Sequence, residues 1–107
     1  MASWADVVDL GSELPGVEES TWYRTPALKV RGKGFLRLKE DGESLAVPVL
    51  DLEDKGALLR ANPEVFFTTP HYDGHAYVLV HLDQIGREQL AELVEDAWRL
   101  RAPKSLQ

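Results

Sequence analysis

The sequence predicts a two-layer α+β domain, a mostly antiparallel sheet with helices on one face. Three observations predict this fold. Apolar residues recur at helical spacing in three segments, apolar and polar residues alternate in the segments between them, and turn-forming residues join neighbouring strands. The predicted order is helix, three strands, helix, two strands, helix (αβββαββα). A length of 107 residues with 44% hydrophobic content suits one domain over residues 1–107.

The first helix is predicted to run from Ala2 or Ser3 to Glu13. Ser3 and Asp6 stand three residues apart, which is the spacing of a capping box at the start of a helix. Pro15 disfavours the helical conformation in the residue before it, so the helix is expected to end there.

Three strands are expected next. The first covers Thr21 to Val30, and the second covers Phe35 to Lys39. A tight turn at residues 32–34 joins them, and Asp41-Gly42 is typical of a type I′ hairpin. The third strand is predicted from alternating apolar residues at Leu45, Val47 and Val49.

A second helix is predicted from Leu52 to Ala61, with Asp51 as its capping residue. The residues expected to face inward are Leu52, Leu58 and Leu59. Two strands follow, from Val65 to Thr68 and from Ala76 to Leu82, and alternation places Tyr77, Leu79 and His81 on one face of the second. The last helix shows apolar residues at i, i+3, i+4 spacing, which are Leu90, Leu93, Val94, Ala97 and Trp98.

Four blocks of sequence resemble the MmcQ/YjbR family. They are LPGVEES (residues 14–20), TPALKVRGKGFLRL (25–38), NPEVFFTTPHY (62–72) and LVEDAWRLRAPKSL (93–106). The resemblance spans essentially the whole chain. It implies the family's secretion-chaperone-like two-layer fold with the same element order. It also implies DNA binding, a label that the family carries because of the shape of its hairpins, a "double wing".

All three histidines of the chain, His71, His75 and His81, lie between Thr68 and Leu82. With Asp73, the first two have the i, i+2, i+4 spacing at which side chains in a strand can converge on a metal ion. Asp73-Gly74 is a turn signal, however, and family members that resemble this chain at TPHY carry other residues near positions 73 and 75. We therefore predict a loop from Pro70 to Gly74, without a bound metal or another cofactor.

No group of residues has the spacing of a catalytic motif. The carboxylates of Asp51, Glu53 and Asp54 stand where a helix start uses acidic residues for capping. The glycines of residues 32–34 join two strands and lead into no helix, which excludes a phosphate-binding loop. The absence of cysteine excludes thiol nucleophiles and disulfides. The sequence therefore predicts no catalytic residue and a non-enzymatic protein.

The start of the chain has neither the basic region nor the apolar core of a signal peptide. No run approaches the roughly 18 apolar residues of a membrane span. We therefore expect a cytoplasmic monomer that does not associate with membranes.

The charge of the chain is unevenly distributed. The net charge is −6, yet residues 24–39 hold six basic residues and no acidic one, and the other 91 residues hold 6 basic and 18 acidic residues, a net of −12. A basic hairpin can follow a phosphate backbone, so we predict weak, salt-sensitive and largely sequence-independent DNA binding. The candidate residues are Lys29, Arg31, Lys33, Arg37 and Lys39. Trp22, Tyr23 and Phe35 are candidates for stacking on bases.

Two alternatives to DNA binding stay open. The basic residues can be solvated, or they can pair with the acidic residues of the last helix or with Glu40 and Glu43. The domain can also bind a protein partner or a small ligand through the open face of the sheet and the loop at residues 70–75, with no role in nucleic-acid binding.

Overall fold

The computed structural model describes residues 1–107 as a six-stranded antiparallel sheet with three α-helices. The elements are α1 (Trp4–Ser12), β1 (Val17–Trp22), β2 (Thr25–Val30), β3 (Lys33–Leu38), β4 (Ser44–Pro48), α2 (Leu52–Ala61), β5 (Phe66–Phe67), β6 (Tyr77–His81) and α3 (Arg87–Arg101). The strands lie side by side in the order β1-β2-β3-β4-β6-β5. The predicted α+β class is confirmed. None of the helices combines the length and apolar character that crossing a bilayer requires.

The segment before Thr25 forms a strand of its own. β1 pairs with β2 along its whole length, from Val17 opposite Val30 to Trp22 opposite Thr25. The single strand predicted for residues 21–30 is therefore part of a hairpin, and the sheet gains a strand at its edge. The turn is Tyr23-Arg24, in which both residues adopt the left-handed conformation, with φ of 54° and 67°. Type I′ turns favour Asn and Gly in these positions, so Tyr-Arg gives no turn signal.

The other two hairpin turns also differ in detail from the prediction. The β2–β3 turn is centred on Arg31-Gly32, where φ is 50° and 81°, and not on residues 32–34. Asp41-Gly42 does mark a turn, but only Gly42 has a positive φ, so the turn is not type I′. The side chain of Asp41 holds this loop by accepting hydrogen bonds of 2.8 Å from the backbone N–H groups of Glu43 and Ser44.

The core lies between one face of the sheet and the helices. Val7 of α1 and the predicted apolar stripe of α3 pack on inward side chains of the strands. Trp98 is buried in this core, and its indole Nε1–H donates a 2.9 Å hydrogen bond to the carbonyl oxygen of Pro15. This bond ties α3 to the segment that leads into β1.

The fully buried residue of the second helix is not one of the three predicted to face inward. Leu52 is 53% exposed, and Leu58 and Leu59 are partly buried against the core. The buried residue of α2 is Lys55, which is 5% exposed. Its ammonium group is satisfied by the backbone, since Nζ donates to the carbonyl oxygens of Tyr72 at 2.6 Å and His75 at 3.0 Å.

The sheet face opposite the core, which we call the open face, carries Arg37 of β3. In register across β3, β4 and β6, Arg37 lies opposite Ala46 and Ala46 lies opposite Leu79. A bulge at Phe35 shifts the β2–β3 register, so that Leu28 pairs with Leu36 and Lys29 pairs with Gly34. Because of the bulge, Gly34 lies on the open face opposite Lys29. Gly34 has no side chain, so this position of the open face is left unfilled by β3 itself.

Candidate functional site

A cleft of about 600 Å³ opens on the open face of the sheet. The β1–β2 turn forms one side of the cleft, the loop from residues 68–76 forms the other, and β3, β4 and β6 form its floor. The lining residues are Trp22, Tyr23, Arg37, Lys39, Glu40, Ala46, His71, Tyr72, His75 and Tyr77. Clefts of roughly 300–1,000 Å³ that combine aromatic rings with a few polar groups are typical of small-molecule sites.

Arg37 is the fixed cation of the cleft. It is only 6% exposed, and the side chains opposite it on the neighbouring strands are the small methyl groups of Ala27 and Ala46. Its Nε–H donates to the carbonyl oxygen of Trp22 at 3.1 Å, which joins the guanidinium group to the β1–β2 turn. The guanidinium group also lies 5.2 Å from the centre of the Tyr23 ring, within the range of a cation–π contact.

Lys39 is the second cation, and it connects β3 to the loop. Its Nζ donates a 3.0 Å hydrogen bond to the Tyr72 hydroxyl oxygen and lies 4.8 Å from the centre of the same ring. The Tyr72 ring lies 6.3 Å from that of Tyr77, which stands on the floor of the cleft. Arg37 therefore contacts an aromatic ring of the β1–β2 turn, and Lys39 contacts an aromatic ring of the loop on the other side of the cleft.

The carboxylate of Glu40 bridges the two cations. One oxygen, Oε2, lies 2.7 Å from the Nη2 of Arg37, and the other, Oε1, lies 3.5 Å from the Nζ of Lys39. A hydrogen bond from the backbone N–H of Glu40 itself lowers the pKa of this carboxyl group. The charges of Lys39 and Arg37 lower the pKa further, and desolvation opposes them only in part. Glu40 is therefore ionised near neutral pH and neutralises part of the positive charge.

Aromatic rings form the wall next to the β1–β2 turn. The Trp22 and Tyr23 rings are stacked, with centroids 5.7 Å apart, and the Tyr23 side chain is largely open to solvent, since the residue is 73% exposed. Trp22 lies directly over Gly34, where an added Cβ would come within 2.5 Å of the indole ring. The bulge in β3 therefore makes room for this wall.

The histidine-containing loop forms the opposite wall and holds no metal-binding cluster. His71 and His75 line the cleft, His81 stacks on Phe67 with ring centroids 4.0 Å apart, and Asp73 accepts a 3.2 Å hydrogen bond from the Thr68 hydroxyl. No group of three or more His, Cys, Asp or Glu side chains in the structure is arranged to hold a metal ion. Lys55 of α2 holds this loop in place, because its Nζ donates hydrogen bonds to the carbonyl oxygens of Tyr72 and His75.

The five residues predicted to contact DNA do not form one surface. Arg37 and Lys39 lie in the cleft beside Glu40. Lys29 is half-buried on the open face, opposite Glu18 of β1. Arg31 and Lys33 are exposed at the β2–β3 turn, roughly 20 Å along the strand from Lys39. Of the five residues, only Arg31 and Lys33 are exposed to solvent, as contact with DNA would require.

Sequence reasoning found the two cations and the loop but missed how they meet. Glu40 is among the carboxylates expected as alternative partners of the basic residues. Of the three residues predicted to stack on bases, Trp22 and Tyr23 line the cleft, whereas Phe35 is fully buried in the core. Tyr72 and Tyr77 were not singled out as site residues. The predicted alternation in β6 was a usable signal for Tyr77, because it placed this residue on the face that the structure leaves open.

A second concavity, of about 500 Å³, lies between α2 and α3 and differs in chemistry. It is lined by Pro48, Val49, Leu50, Asp54, Ala57, Leu58, Ala61, Leu93, Asp96 and Leu100. Its only charged groups are two aspartates, and it has no aromatic ring. The groove between α2 and α3 therefore lacks both the aromatic rings and the cations that characterise the open-face cleft.

Comparison with known proteins shows the family of this chain. The YjbR family model matches residues 12–100. The chain belongs to the YjbR family. Every residue that lines the open-face cleft, from Trp22 to Tyr77, falls within the matched segment. The cleft is therefore built from the YjbR domain itself.

Relatives of this YjbR protein include uncharacterized proteins of Mycobacterium tuberculosis and Mycobacterium bovis. Each is 36% identical over 121 aligned positions, which cover 99% of this chain and 93% of the relative. A structural relative is the crystal structure of the Deinococcus radiodurans protein DR2400, a DUF419 domain. It superposes with a TM-score of 0.77 at 25% identity, over 94% of this chain and 78% of the other.

Proposed function

We propose that this YjbR protein is a non-enzymatic module that binds a small organic molecule in the open-face cleft. The observation that carries the proposal is that one concavity brings together four aromatic rings and the two cations Arg37 and Lys39. Aromatic rings supply most of the contact energy in small-ligand sites, and a few fixed polar groups set the orientation of the ligand.

The rigidity of the cleft supports the same function. The Arg37 guanidinium group is anchored by the Trp22 carbonyl oxygen, Trp22 rests on Gly34, and Lys55 fixes the opposite loop. A site whose polar groups are already held in place loses less conformational entropy when a ligand binds. A cytoplasmic location and a monomeric state are parts of this proposal.

Nucleic-acid contact through the basic hairpin stays a prediction, as a second candidate function. The observation in its favour is the exposure of Arg31 and Lys33 at the β2–β3 turn. The pairing of Arg37 and Lys39 with Glu40 reduces the charge available for phosphates, so the small-ligand proposal is the better supported of the two.

The proposal is tested by recording ¹⁵N–¹H NMR spectra of the protein with a fragment library of aromatic and aliphatic compounds. We expect hits to shift the indole signal of Trp22 and the amides of residues 22–24, 37–40 and 71–77. The indole of Trp98, buried in the core, serves as the internal control and should not move. Hits that map only to the groove between α2 and α3, or a library without hits, would refute the proposal.

A matched pair of variants strengthens this test. Tyr23→Ala removes a largely exposed ring from the cleft wall, and Leu52→Ala removes an exposed apolar side chain of α2 that does not line either concavity. We expect Tyr23→Ala to weaken binding of the cleft hits by about 3- to 10-fold, the loss of one aromatic contact. Leu52→Ala should leave binding unchanged.

A further inference from the structure

The Glu40 carboxylate shows what kind of anion the two cations of the cleft accept. Its two oxygens are divided between them, one on the Arg37 guanidinium group and one on the Lys39 ammonium group. We infer that the cleft is a receptor for an aromatic carboxylate, whose carboxylate group replaces that of Glu40 on Arg37 and Lys39. This inference rests on the proposed small-ligand function and names its ligand class.

Glu40 can leave this position, whereas the cations stay. The Glu40 side chain is 66% exposed, and the only side chains it pairs with are the two cations. Exposed ion pairs are weak because water solvates the separated groups well. Arg37, in contrast, is buried and held by the Trp22 carbonyl oxygen, and Lys39 is held by the Tyr72 hydroxyl. A ligand that displaces Glu40 therefore finds a preformed pair of donors.

The charge balance favours a monoanion. Arg37 and Lys39 carry two positive charges, and Glu40 stays nearby on the same short segment after it swings into solvent. With His71 and His75 counted as neutral, the net charge of the lining is then about one positive unit, which one carboxylate matches. A second negative charge on the ligand would face Glu40 without a third lysine or arginine in the lining, since Arg101 contacts the Tyr77 ring but does not line the cleft. A planar carboxylate also fits the guanidinium fork, which recognises carboxylates in a fixed geometry.

The rings around the cations determine the rest of the ligand. Tyr23 lies beside Arg37, Tyr72 lies beside Lys39, and Tyr77 lies on the floor of the cleft, 6.3 Å from the Tyr72 ring. A ligand whose carboxylate reaches both cations must extend its body between these walls. A flat aromatic ring there gains stacking contacts on both sides, whereas a saturated ring of the same size does not.

The experiment compares compounds that differ in one property at a time. The probes are 2-naphthoate, the neutral 2-naphthamide, 2-naphthyl phosphate and the ring-free acetate, each titrated into the parent protein by ¹⁵N–¹H NMR. We expect 2-naphthoate to shift the Trp22 indole and the amides of residues 37–40, and to bind at least about tenfold more tightly than 2-naphthamide, as a charge-assisted bond to a fixed donor pair predicts. Acetate should not bind measurably, and the phosphate should bind more weakly than the carboxylate.

Two glutamate variants separate the specific effect from general electrostatics. Glu40→Gln removes the internal competitor, so we expect it to tighten 2-naphthoate binding by about 3- to 10-fold and to leave 2-naphthamide binding unchanged. Glu95→Gln is the matched control, because Glu95 is 51% exposed and pairs with Arg99 at 3.0 Å on α3, away from the cleft. It should change neither affinity. Lys39→Met should weaken 2-naphthoate binding more than 2-naphthamide binding.

The outcomes distinguish the inference from the proposal on which it rests. If 2-naphthoate and 2-naphthamide shift Trp22 with equal affinity, or if the phosphate binds more tightly than the carboxylate, the cleft is a ligand site but not a carboxylate receptor. The same conclusion follows if Glu40→Gln and Glu95→Gln behave alike. If no probe and no library fragment shifts the cleft residues, both the inference and the proposed function are wrong.

Discussion

Gly34 shows, at the scale of one residue, how an absent side chain shapes the cleft. The bulge at Phe35 turns position 34 toward the open face, and the Trp22 ring occupies the space that a side chain would take. Arg37 then reaches the backbone of the same tryptophan. One wall of the cleft therefore depends on a glycine that the sequence suggested only as part of a turn.

We predict that Gly34→Ala destabilises the protein by about 1–3 kcal/mol, the usual cost of forcing a group into filled space. The new Cβ would lie 2.5 Å from the Trp22 ring, which would have to move. Urea unfolding followed by tryptophan fluorescence measures the change. Gly56→Ala is the control, because its Cβ meets only the flexible end of Arg60 at 3.0 Å. Gly56→Ala should stabilise α2 by up to about 1 kcal/mol. If Gly34→Ala leaves the free energy of unfolding unchanged, the packing of Trp22 on Gly34 is not as described.

Asp41 predicts a pH dependence of stability. Burial raises the pKa of its carboxyl group, but hydrogen bonds from the N–H groups of Glu43 and Ser44 and from the Ser44 hydroxyl outweigh burial, so that the pKa lies below its ordinary value of 3.8. A group with a lowered folded-state pKa stabilises the protein fully above its unfolded-state value, and this stabilisation is lost as the pH falls through the folded-state value.

The parent protein should therefore be more stable than the Asp41→Asn variant at pH 7. The difference should narrow as the pH falls below about 3.8, the unfolded-state pKa, and should be lost once Asp41 is protonated in the folded state as well. Urea midpoints at pH 7, 4.5 and 3 measure this gap. A gap of constant size across this range would show that the hydrogen bonds do not depend on the charge of Asp41.

At the scale of secondary-structure elements, the β1–β2 hairpin is the feature that most affects the site. It adds an edge strand and carries Trp22 and Tyr23 to the rim of the cleft. Its Tyr23-Arg24 turn holds two non-glycine residues at positive φ, a conformation that costs roughly 1 kcal/mol or more for each. This strained turn lies at the rim of the proposed ligand site. It lowers the stability of the folded protein, and it places the Trp22 and Tyr23 rings at the cleft.

We expect Arg24→Gly to stabilise the protein by about 0.5–1 kcal/mol, because glycine adopts the φ of 67° without the steric cost, and its greater freedom in the unfolded chain offsets only part of the gain. Thermal unfolding followed by circular dichroism measures the effect. Thr21→Gly, an exposed substitution within β1, should destabilise instead, since that residue is in an extended strand. If Arg24→Gly also destabilises the protein, the arginine side chain makes a contribution that the turn geometry does not account for.

At the scale of the whole molecule, the basic segment of the sequence becomes two separate groups. Arg31 and Lys33 project into solvent at the β2–β3 turn, and Arg37 and Lys39 face Glu40 within the cleft. The other 91 residues of the chain are acidic overall, with a net charge of −12. The positive charge is therefore local and does not form a continuous face for a long polyanion.

This separation gives a quantitative test of the DNA prediction. With two free cations, the slope of log K against log salt for duplex DNA should be about −2, whereas all five predicted residues would give about −4.5. Fluorescence anisotropy of a labelled duplex at about 20–150 mM salt, over which the Debye length falls from roughly 20 Å to about 8 Å, measures the slope. Arg31→Glu with Lys33→Glu should abolish any binding, and the same two charge reversals at Arg60 and Arg99 are the control. Absence of binding at the lowest salt would remove nucleic acid as a candidate partner.

Local rules were reliable where neighbours in the chain decide the structure. The capping box at Ser3 and Asp6 forms, Asp51 caps α2 by accepting from the backbone N–H of Asp54, and the apolar stripe of α3 is buried as predicted. The resemblance to the YjbR family is confirmed by the match over residues 12–100. These features depend on spacing within one or two turns, so the sequence displays them directly.

The turn at Tyr23-Arg24, the burial of Lys55 and the bulge at Phe35 were not predictable in the same way. Each is stabilised by partners distant in the chain, such as the carbonyl oxygens of Tyr72 and His75 for Lys55. Local propensity argues against two of them, since Tyr-Arg is a poor type I′ turn and lysine rarely becomes buried. Tertiary contacts overrode these preferences.

The sequence by itself determined the fold class, most of the elements and the supply of cations, rings and histidines for a site. Tertiary structure alone decided which of these groups meet: it divided the basic segment, paired Arg37 and Lys39 with Glu40, and closed the cleft with Trp22 and Tyr72. The physical reason is range. Helix and strand periodicity acts between residues a few positions apart, whereas the cleft depends on contacts such as Lys39 to Tyr72, whose geometry exists only once the sheet and loop have packed together.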